Sequence, residues 1–277
     1  MPSVVNTNLA SLNAQRNLSS TQSMLHQSIQ RLSTGLRVNS AKDDAAGLAI
    51  AERMNSQIRG MNVAIRNAND GISMAQTAEG ALGKVGDMVQ RMRELAVQSA
   101  NSTNGASDRA SLDTEYQQLG AEITRTLAAT QFNGLSILGA SAGALAFQIG
   151  AGTTANDTIT VTTTNLSTAG GVTAVTGGNV TTAALAGTAI TNLDTLRDLV
   201  STQRATYGAT QNRFEAVIGV LEVASENQAA ARSRIMDADF AAETASLTRS
   251  QVLQQSGIAM LSQANSSPNA ILSLLRQ

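Results

Sequence analysis

Residues 193–235 read LDTLRDLVSTQRATYGATQNRFEAVIGVLEVASENQAAARSRI, a stretch with one sustained apolar period. Alternate steps of three and four residues reach Leu193, Leu196, Val200, Gln203, Tyr207, Thr210, Phe214, Val217, Leu221, Ala224, Gln228, Ala231 and Ile235. A helix of this length would extend roughly 65 Å, and its narrow apolar seam is typical of a coiled coil. The stretch therefore predicts one long helix that packs against other long helices.

The composition excludes several classes of protein. Two tyrosines, four phenylalanines and no tryptophan supply little for a thick globular core, whereas Leu, Ile, Val, Met and Ala suit thin seams between helices. The net charge of −1 offers no electrostatic footprint for nucleic acid or an anionic membrane. No apolar run is long enough for membrane insertion. The absence of cysteine excludes a disulfide framework and a thiol nucleophile.

The rest of the chain is also dominated by helical periods. A thin apolar stripe predicts a helix over residues 4–36, and Ser40 with Asp43 resembles a cap that starts a second helix near Ala41. That second helix runs to about residue 100, with a one-step slip in its heptads, and a third covers about 106–130. The last helix is expected from about 241 to 264, broken by Asn265–Pro268.

The period changes in the middle of the chain. Asn133-Gly134 is a strong signal for a tight turn, and residues 147–149 and 158–162 alternate with period two, as short strands do. The sequence thus predicts a mainly α fold: an elongated antiparallel helical bundle or coiled coil with a small β-hairpin region at the turn-around. Its predicted parts are terminal helices (1–40 and 236–277), a rod of long helices (41–139 and 191–235) and a short variable β and loop region exposed to solvent (140–190).

Catalytic chemistry finds little support in the sequence. His26 is the single histidine, so a zinc site with two histidines is impossible and a Ser-His-Asp arrangement would depend on this one residue. Asp43 and Asp44 lie at a helix start, where adjacent acids usually interact with the helix dipole. No glycine-rich phosphate loop occurs. We predict no catalytic residue, no cofactor and no metal, and hence no enzyme.

Five segments in order resemble one known family. They are Val5–Asn8, Ser40–Leu48, Gln90–Asn101 (QRMRELAVQSAN), Gln131–Gly134 (QFNG) and Ile271–Arg276 (ILSLLR). Together they are similar to bacterial flagellin, over roughly residues 1–165 and 190–277. Because the middle is short, the resemblance implies a form with a reduced variable region.

The resemblance implies a structural subunit of the flagellar filament, the helical propeller for swimming. The first residues lack a secretory signal peptide, which alone would predict a cytoplasmic protein. Flagellins, however, are exported through the flagellar type III apparatus with a secretion chaperone and assemble outside the cell, so we expect a secreted, extracellular chain. Further expected partners are identical subunits and the hook-associated and cap proteins. The terminal helices are expected to form the coiled coil of the inner tube, with too little apolar area to order before assembly.

The resemblance also implies sites of host recognition. Arg91, Leu95 and Glu115 match the family's site for the Toll-like receptor that senses flagellin. A structural alternative is that the two charges are solvated and that Leu95 packs in a seam. The tail leucines, Leu272, Leu274 and Leu275, resemble the segment sensed by cytosolic inflammasome receptors, and their alternative role is packing inside the tube.

Two other functions stay open at this point. One is a flagellin-like cell-surface adhesin or polysaccharide-binding protein, although the middle region has almost no charged or aromatic residues with which to build a site. The other is the hook–filament junction protein, whose relatives share the terminal helices but not usually the combination of 91–101 with Phe132-Asn133-Gly134.

Overall fold

A computed structural model describes the chain from Thr7 to Leu274, with side chains as far as Ser267. The described residues form six α-helices, five of them with 24 residues or more: α1 (Leu9–Thr34), α2 (Ala45–Ala100), α3 (Ala106–Ala129), α4 (Gly170–Thr176), α5 (Ala183–Met236) and α6 (Phe240–Leu274). Four short strands lie between α3 and α4: β1 (Gln131–Phe132), β2 (Leu135–Ser136), β3 (Ala144–Gln148) and β4 (Thr158–Thr162). The predicted mainly α fold with a small hairpin region is confirmed.

The chain divides into two compact units. One consists of the residues up to Ser56 together with those from Asn227 onward, and it includes α1 and α6. The other is continuous, from Gln57 to Glu226, and it contains α3, α4 and all four strands.

The core of the unit 57–226 confirms the heptad seam of α5. Buried seam residues of α5 are Leu193, Leu196, Val200, Tyr207 and Phe214. Helix α2 lies antiparallel beside α5. Arg93 Nε of α2 donates to Asp194 Oδ1 of α5 at 2.9 Å, and Ser225 Oγ of α5 lies 3.5 Å from Asn62 Oδ1 of α2. Between these two contacts, α2 and α5 each advance by 31 residues. The slip in the α2 heptads therefore does not shift one helix along the other.

Helix α4 is absent from the sequence prediction, which expected a solvent-exposed loop there. Val172 and Val175 are buried, and the Tyr116 hydroxyl of α3 donates to the Val175 carbonyl at 3.3 Å. The Gln117 side chain donates to Gly178 at 2.7 Å. The apolar residues of this segment thus join the helical core of their unit.

The two hairpins have the predicted signals. Asn133 and Gly134 both have positive φ, 49° and 79°, as a two-residue turn between paired β1 and β2 requires. Strands β3 and β4 pair antiparallel in a continuous register. Phe147 of β3 stacks edge-to-face on Phe214 of α5, with ring centroids 5.4 Å apart, and so holds the second hairpin on the helices.

The start of α2 differs from the prediction by four residues. Asp43 Oδ2 accepts from the Ser40 hydroxyl at 2.9 Å and from the backbone N–H groups of Asn39 and Ser40, which builds a turn and not a helix start. Asp44 accepts from the Gly47 N–H at 2.8 Å and so pairs one of the orphan donors in the first turn of the helix. The helix consequently begins at Ala45.

The predicted break of the last helix was wrong. Helix α6 continues through Pro268 to Leu274. Proline cannot donate to the carbonyl four residues earlier, but the Ala264 oxygen accepts the side-chain amide of Asn8 at 2.8 Å instead. The helix therefore continues beyond Pro268 without leaving the Ala264 carbonyl unpaired.

Candidate functional site

The structure brings Arg91 and Glu115 together. Arg91 Nε on α2 donates to Glu115 Oε1 on α3 at 2.8 Å, and its Nη1 donates to Glu94 Oε2 at 3.0 Å. The hydrogen bonds that Arg91 donates to Glu115 and, second, to Glu94 raise the pKa of Arg91. Both members of the main pair are about half exposed, 51% and 46%. They form an ordered polar patch that a partner can reach.

Leu95 does not share that surface. It is only 1% exposed and belongs to the core formed by α2, α3 and α5. Its side chain therefore supports the helix that carries Arg91 and offers almost no surface of its own.

A second charged group adjoins this patch and was missed by sequence reasoning. Asp194 of α5 accepts from Arg93 at 2.9 Å and lies 3.5 Å from Arg197. The hydrogen bond from Arg93 is the main reason that the pKa of Asp194 is lowered. Arg93 and Arg197 line a groove of about 680 Å³ together with Glu94 and Val97. The two partners lie about 100 residues apart in sequence, and only the antiparallel register of α2 and α5 predicts such a contact.

The interface between α1 and α6 is unusually polar. Its buried positions carry hydroxyl groups, and the Ser28 hydroxyl lies 3.4 Å from that of Ser246. An ion pair joins Arg31 to Glu243 at 3.6 Å. The fully buried positions are therefore polar, and leucines of the two helices, among them Leu18, Leu25, Leu32 and Leu247, are half-buried.

Large apolar side chains of the same helices are exposed to solvent. The exposed members are Leu9, Leu12, Met24, Ile29, Phe240, Val252, Leu253, Ile258 and Met260. A groove of about 550 Å³ between α1 and α6 is lined by Leu18, Met24, Leu253 and Met260 among others. Apolar surface of this extent on one pair of helices is characteristic of a protein–protein contact.

The tail leucines are only partly visible. Leu272 and Leu274 lie in the last turn of α6, where the structure describes the backbone, and Leu275 lies outside the described residues. Their expected roles therefore stay predictions.

Sites for catalysis or metals find no geometric support in the described part of the chain. Among those residues, no three His, Cys, Asp or Glu side chains are grouped to hold a metal ion. His26 is exposed and lines a shallow cavity with Lys42 and Asp43. None of the described helices is long and apolar enough to cross a membrane.

Comparison with known proteins gives consistent matches over most of the chain. The model of the bacterial flagellin N-terminal helical region matches residues 5–143, and that of the C-terminal helical region matches 189–275. A flagellin of Halalkalibacterium halodurans is 45% identical over 273 residues, covering 99% of this chain and 100% of the relative. Flagellin FlaB1 of Treponema pallidum is 40% identical over 286 residues, with coverage of 99% and 100%.

A longer relative shows where the chain is short. Polar flagellin F of Vibrio parahaemolyticus is 36% identical over 377 aligned residues, covering 99% of this chain and 100% of the relative. The two family models leave residues 144–188 unmatched, a segment that contains β3, β4, α4 and the first turn of α5. The chain has the two ends of such proteins and a reduced middle.

Proposed function

The chain belongs to the bacterial flagellin family, and from this premise we propose how its parts divide the work of a filament. It is a structural subunit that polymerises with identical copies into the flagellar filament for swimming motility, and it is not an enzyme. The full-length match to a relative of nearly the same length carries this conclusion. The roles of the individual segments and surfaces are the proposal.

The terminal helices, residues 1–40 and 236–277, form the inner tube and complete their packing on other copies. The support is the distribution of side chains: α1 and α6 bury hydroxyls between themselves and expose large apolar groups around a groove. Burying an exposed Leu, Ile or Met side chain contributes about 1.5–3 kcal/mol. Neighbouring subunits supply that burial. Residues 41–139 and 191–235 then form the rod that gives fixed lateral contacts.

Export through the flagellar type III apparatus with a secretion chaperone, and contact with the hook-associated and cap proteins, are proposed on family membership. Proteins of this family form the extracellular filament. Deletion of the export apparatus is expected to leave the chain inside the cell, and its release to the medium in such a strain would contradict this route.

Host recognition by the Toll-like receptor for flagellin is proposed on the Arg91–Glu115 patch. A half-exposed, mutually oriented Arg and Glu offer directional contacts to a partner. Leu95 contributes indirectly, because it is buried and its packing holds α2 in place. The tail with Leu272, Leu274 and Leu275 is proposed to pack inside the tube and to be sensed by inflammasome receptors when the chain is free.

Single substitutions test whether receptor recognition depends on this patch or on surface charge in general. We expect Arg91→Ala and Glu115→Ala to lower the potency of the monomer in a receptor reporter assay by about tenfold each, as for a central charged contact. Arg125→Ala is the matched control, because Arg125 also makes a close exposed ion pair, with Glu122. Equal potency of all three variants and the parent chain would contradict the assignment.

The filament itself is tested by electron microscopy of the purified chain after addition of short filament seeds. Long uniform tubes growing from the seeds are the expected result. A monodisperse folded chain that never elongates seeds would instead favour the junction-protein or the adhesin function.

A further inference from the structure

The fully buried residues of α1 and α6 specify the stagger between the two helices only weakly. Buried residues of α1 are Ser11, Thr21 and Ser28, and the buried residue that faces them from α6 is Ser250. Small hydroxyl side chains are similar at successive turns, so they discriminate poorly between one register and a neighbouring one. In coiled coils, specific polar pairs fix the register in such cases.

One carbonyl in the interior of α6 lacks the donor of an ordinary helix. Pro268 has no N–H, so the oxygen of Ala264 receives no bond from its own helix at that position. Pro268 is the only proline in α6. The Asn8 side-chain amide donates to this oxygen from α1 at 2.8 Å. One residue further along α6, Asn265 Oδ1 accepts from the Ser11 hydroxyl at 2.8 Å.

The orientation of the Asn8 amide is set by its second bond. Its Oδ1 accepts from the Ser11 backbone N–H at 3.0 Å and caps the start of α1. The Nδ2 group is thereby turned toward α6. The Asn8 side chain thus caps the start of α1 and also binds a backbone carbonyl of α6.

We propose that Asn8, Ala264 and Pro268 form a register lock for the terminal helix pair. A slip of one heptad would place the Asn8 amide near the Gly257 carbonyl, which the N–H of Leu261 already occupies in a regular helix. Within the described part of α6, the carbonyl vacated by Pro268 is the one free acceptor in the helix interior. The inference rests on the proposed assembly of the terminal helices, because the lock fixes which exposed apolar side chains face a neighbouring copy.

Engineered disulfides measure the register directly, because the chain has no cysteine of its own. Ser28→Cys with Ser246→Cys reports the observed register, since the two hydroxyls lie 3.4 Å apart. Thr21→Cys with Ser246→Cys reports a slip of one heptad, since Thr21 lies on the same buried side of α1, about 10 Å from that position. Each pair is copolymerised with an excess of cysteine-free chain, so that assembly does not depend on the variant. Intramolecular crosslinks keep the monomer mass on a non-reducing gel.

Two substitutions remove the lock in different ways. Asn8→Asp keeps the cap oxygen and removes the amide donor. Pro268→Ala restores an N–H that competes for Ala264 within α6, although alanine is by far the better helix former. Asn69→Asp is the matched control, because Asn69 Nδ2 donates to the Ile65 carbonyl within α2 at 2.9 Å.

We expect each lock variant to lower the ratio of observed-register to slipped crosslinks about fivefold, the effect of losing one hydrogen bond. The double variant is expected to do no more than either single one, since both remove the same bond, and the control is expected to leave the ratio unchanged. An unchanged ratio in both lock variants, or full additivity between them, would overturn the lock. A ratio that falls while the crosslinked chains stay out of pelleted filaments would support the lock and count against the proposed terminal assembly.

Discussion

At the residue scale, the two tyrosines differ in one hydrogen bond. Both are 1% exposed. Tyr116 donates to the Val175 carbonyl at 3.3 Å, whereas the Tyr207 hydroxyl has no partner within the described residues. A buried polar group without a partner costs free energy that a phenyl ring does not. The seam of α5 therefore contains one position where its polar group opposes folding.

Tyr207→Phe is expected to raise the free energy of unfolding of the monomer by about 1 kcal/mol, because it removes only the unpaired hydroxyl. Tyr116→Phe is the control and is expected to lower it by a similar amount. Urea unfolding followed by circular dichroism measures both. A loss of stability in Tyr207→Phe would show that its hydroxyl has a partner in solution.

The same residues predict an alkaline limit of stability. Burial raises the pKa of Tyr116 and of Tyr207 to about 12, from an ordinary 10.0. Since the unfolded phenols ionise first, this part of the stability is complete below pH 10.0 and is lost as the pH rises towards 12. The chain has no tryptophan, so tyrosinate absorbance reports these two groups alone. Ionisation near pH 10.0 without unfolding would contradict their burial.

Sequence reasoning could place Arg91 and Glu115 in one site only through a family resemblance. They lie 24 residues apart on different helices, and no local period brings them together. Nor could it assign Leu95, because a leucine one helical turn from Arg91 can lie on either side of a seam boundary. Its burial is set by how α3 and α5 pack on α2.

At the element scale, the glycines of α2 are of two kinds. A methyl group at Gly71 would lie 2.6 Å from the Phe214 ring, which is fully buried. At Gly80, Gly83 and Gly86 it would meet no described atom within 4 Å. In the described chain these three glycines therefore have no close neighbour.

Gly71→Ala is accordingly expected to destabilise the monomer by about 1–3 kcal/mol through overpacking against Phe214. Gly80→Ala is expected to stabilise it by about 1 kcal/mol through helix propensity. Thermal unfolding of the two variants gives the comparison, and equal shifts of the same sign would contradict the packing at Gly71.

Long elements were predictable from sequence, and short or interrupted ones were not. The seam of α5 has enough repeats to identify the helix, although its start at Ala183 lies earlier than expected. Helix α4 begins with Gly170-Gly171 and is rich in Val and Thr, which are poor helix formers. It exists through contacts with α3. In α6, the Ala264 carbonyl that Pro268 leaves without a helical donor is paired by Asn8, which lies 256 residues away in sequence.

At the scale of the whole molecule, the two units differ in where their apolar side chains are buried. The unit 57–226 contains its own core, from Ala68 to Phe214. The fully buried residues of the pair α1 and α6 are polar, and its large apolar side chains are half-buried or exposed. Helices that bury little apolar surface are marginal in water, so the terminal pair is expected to gain its full stability from other copies.

Limited proteolysis of the monomer and of the seeded filament, with cleavage sites mapped by mass spectrometry, tests this claim most directly. We expect the monomer to be cut before about residue 40 and after about residue 240 while the region between survives, because polar seams allow local opening. In the filament the same bonds are expected to be protected. Termini that resist cleavage equally in monomer and filament would contradict the account.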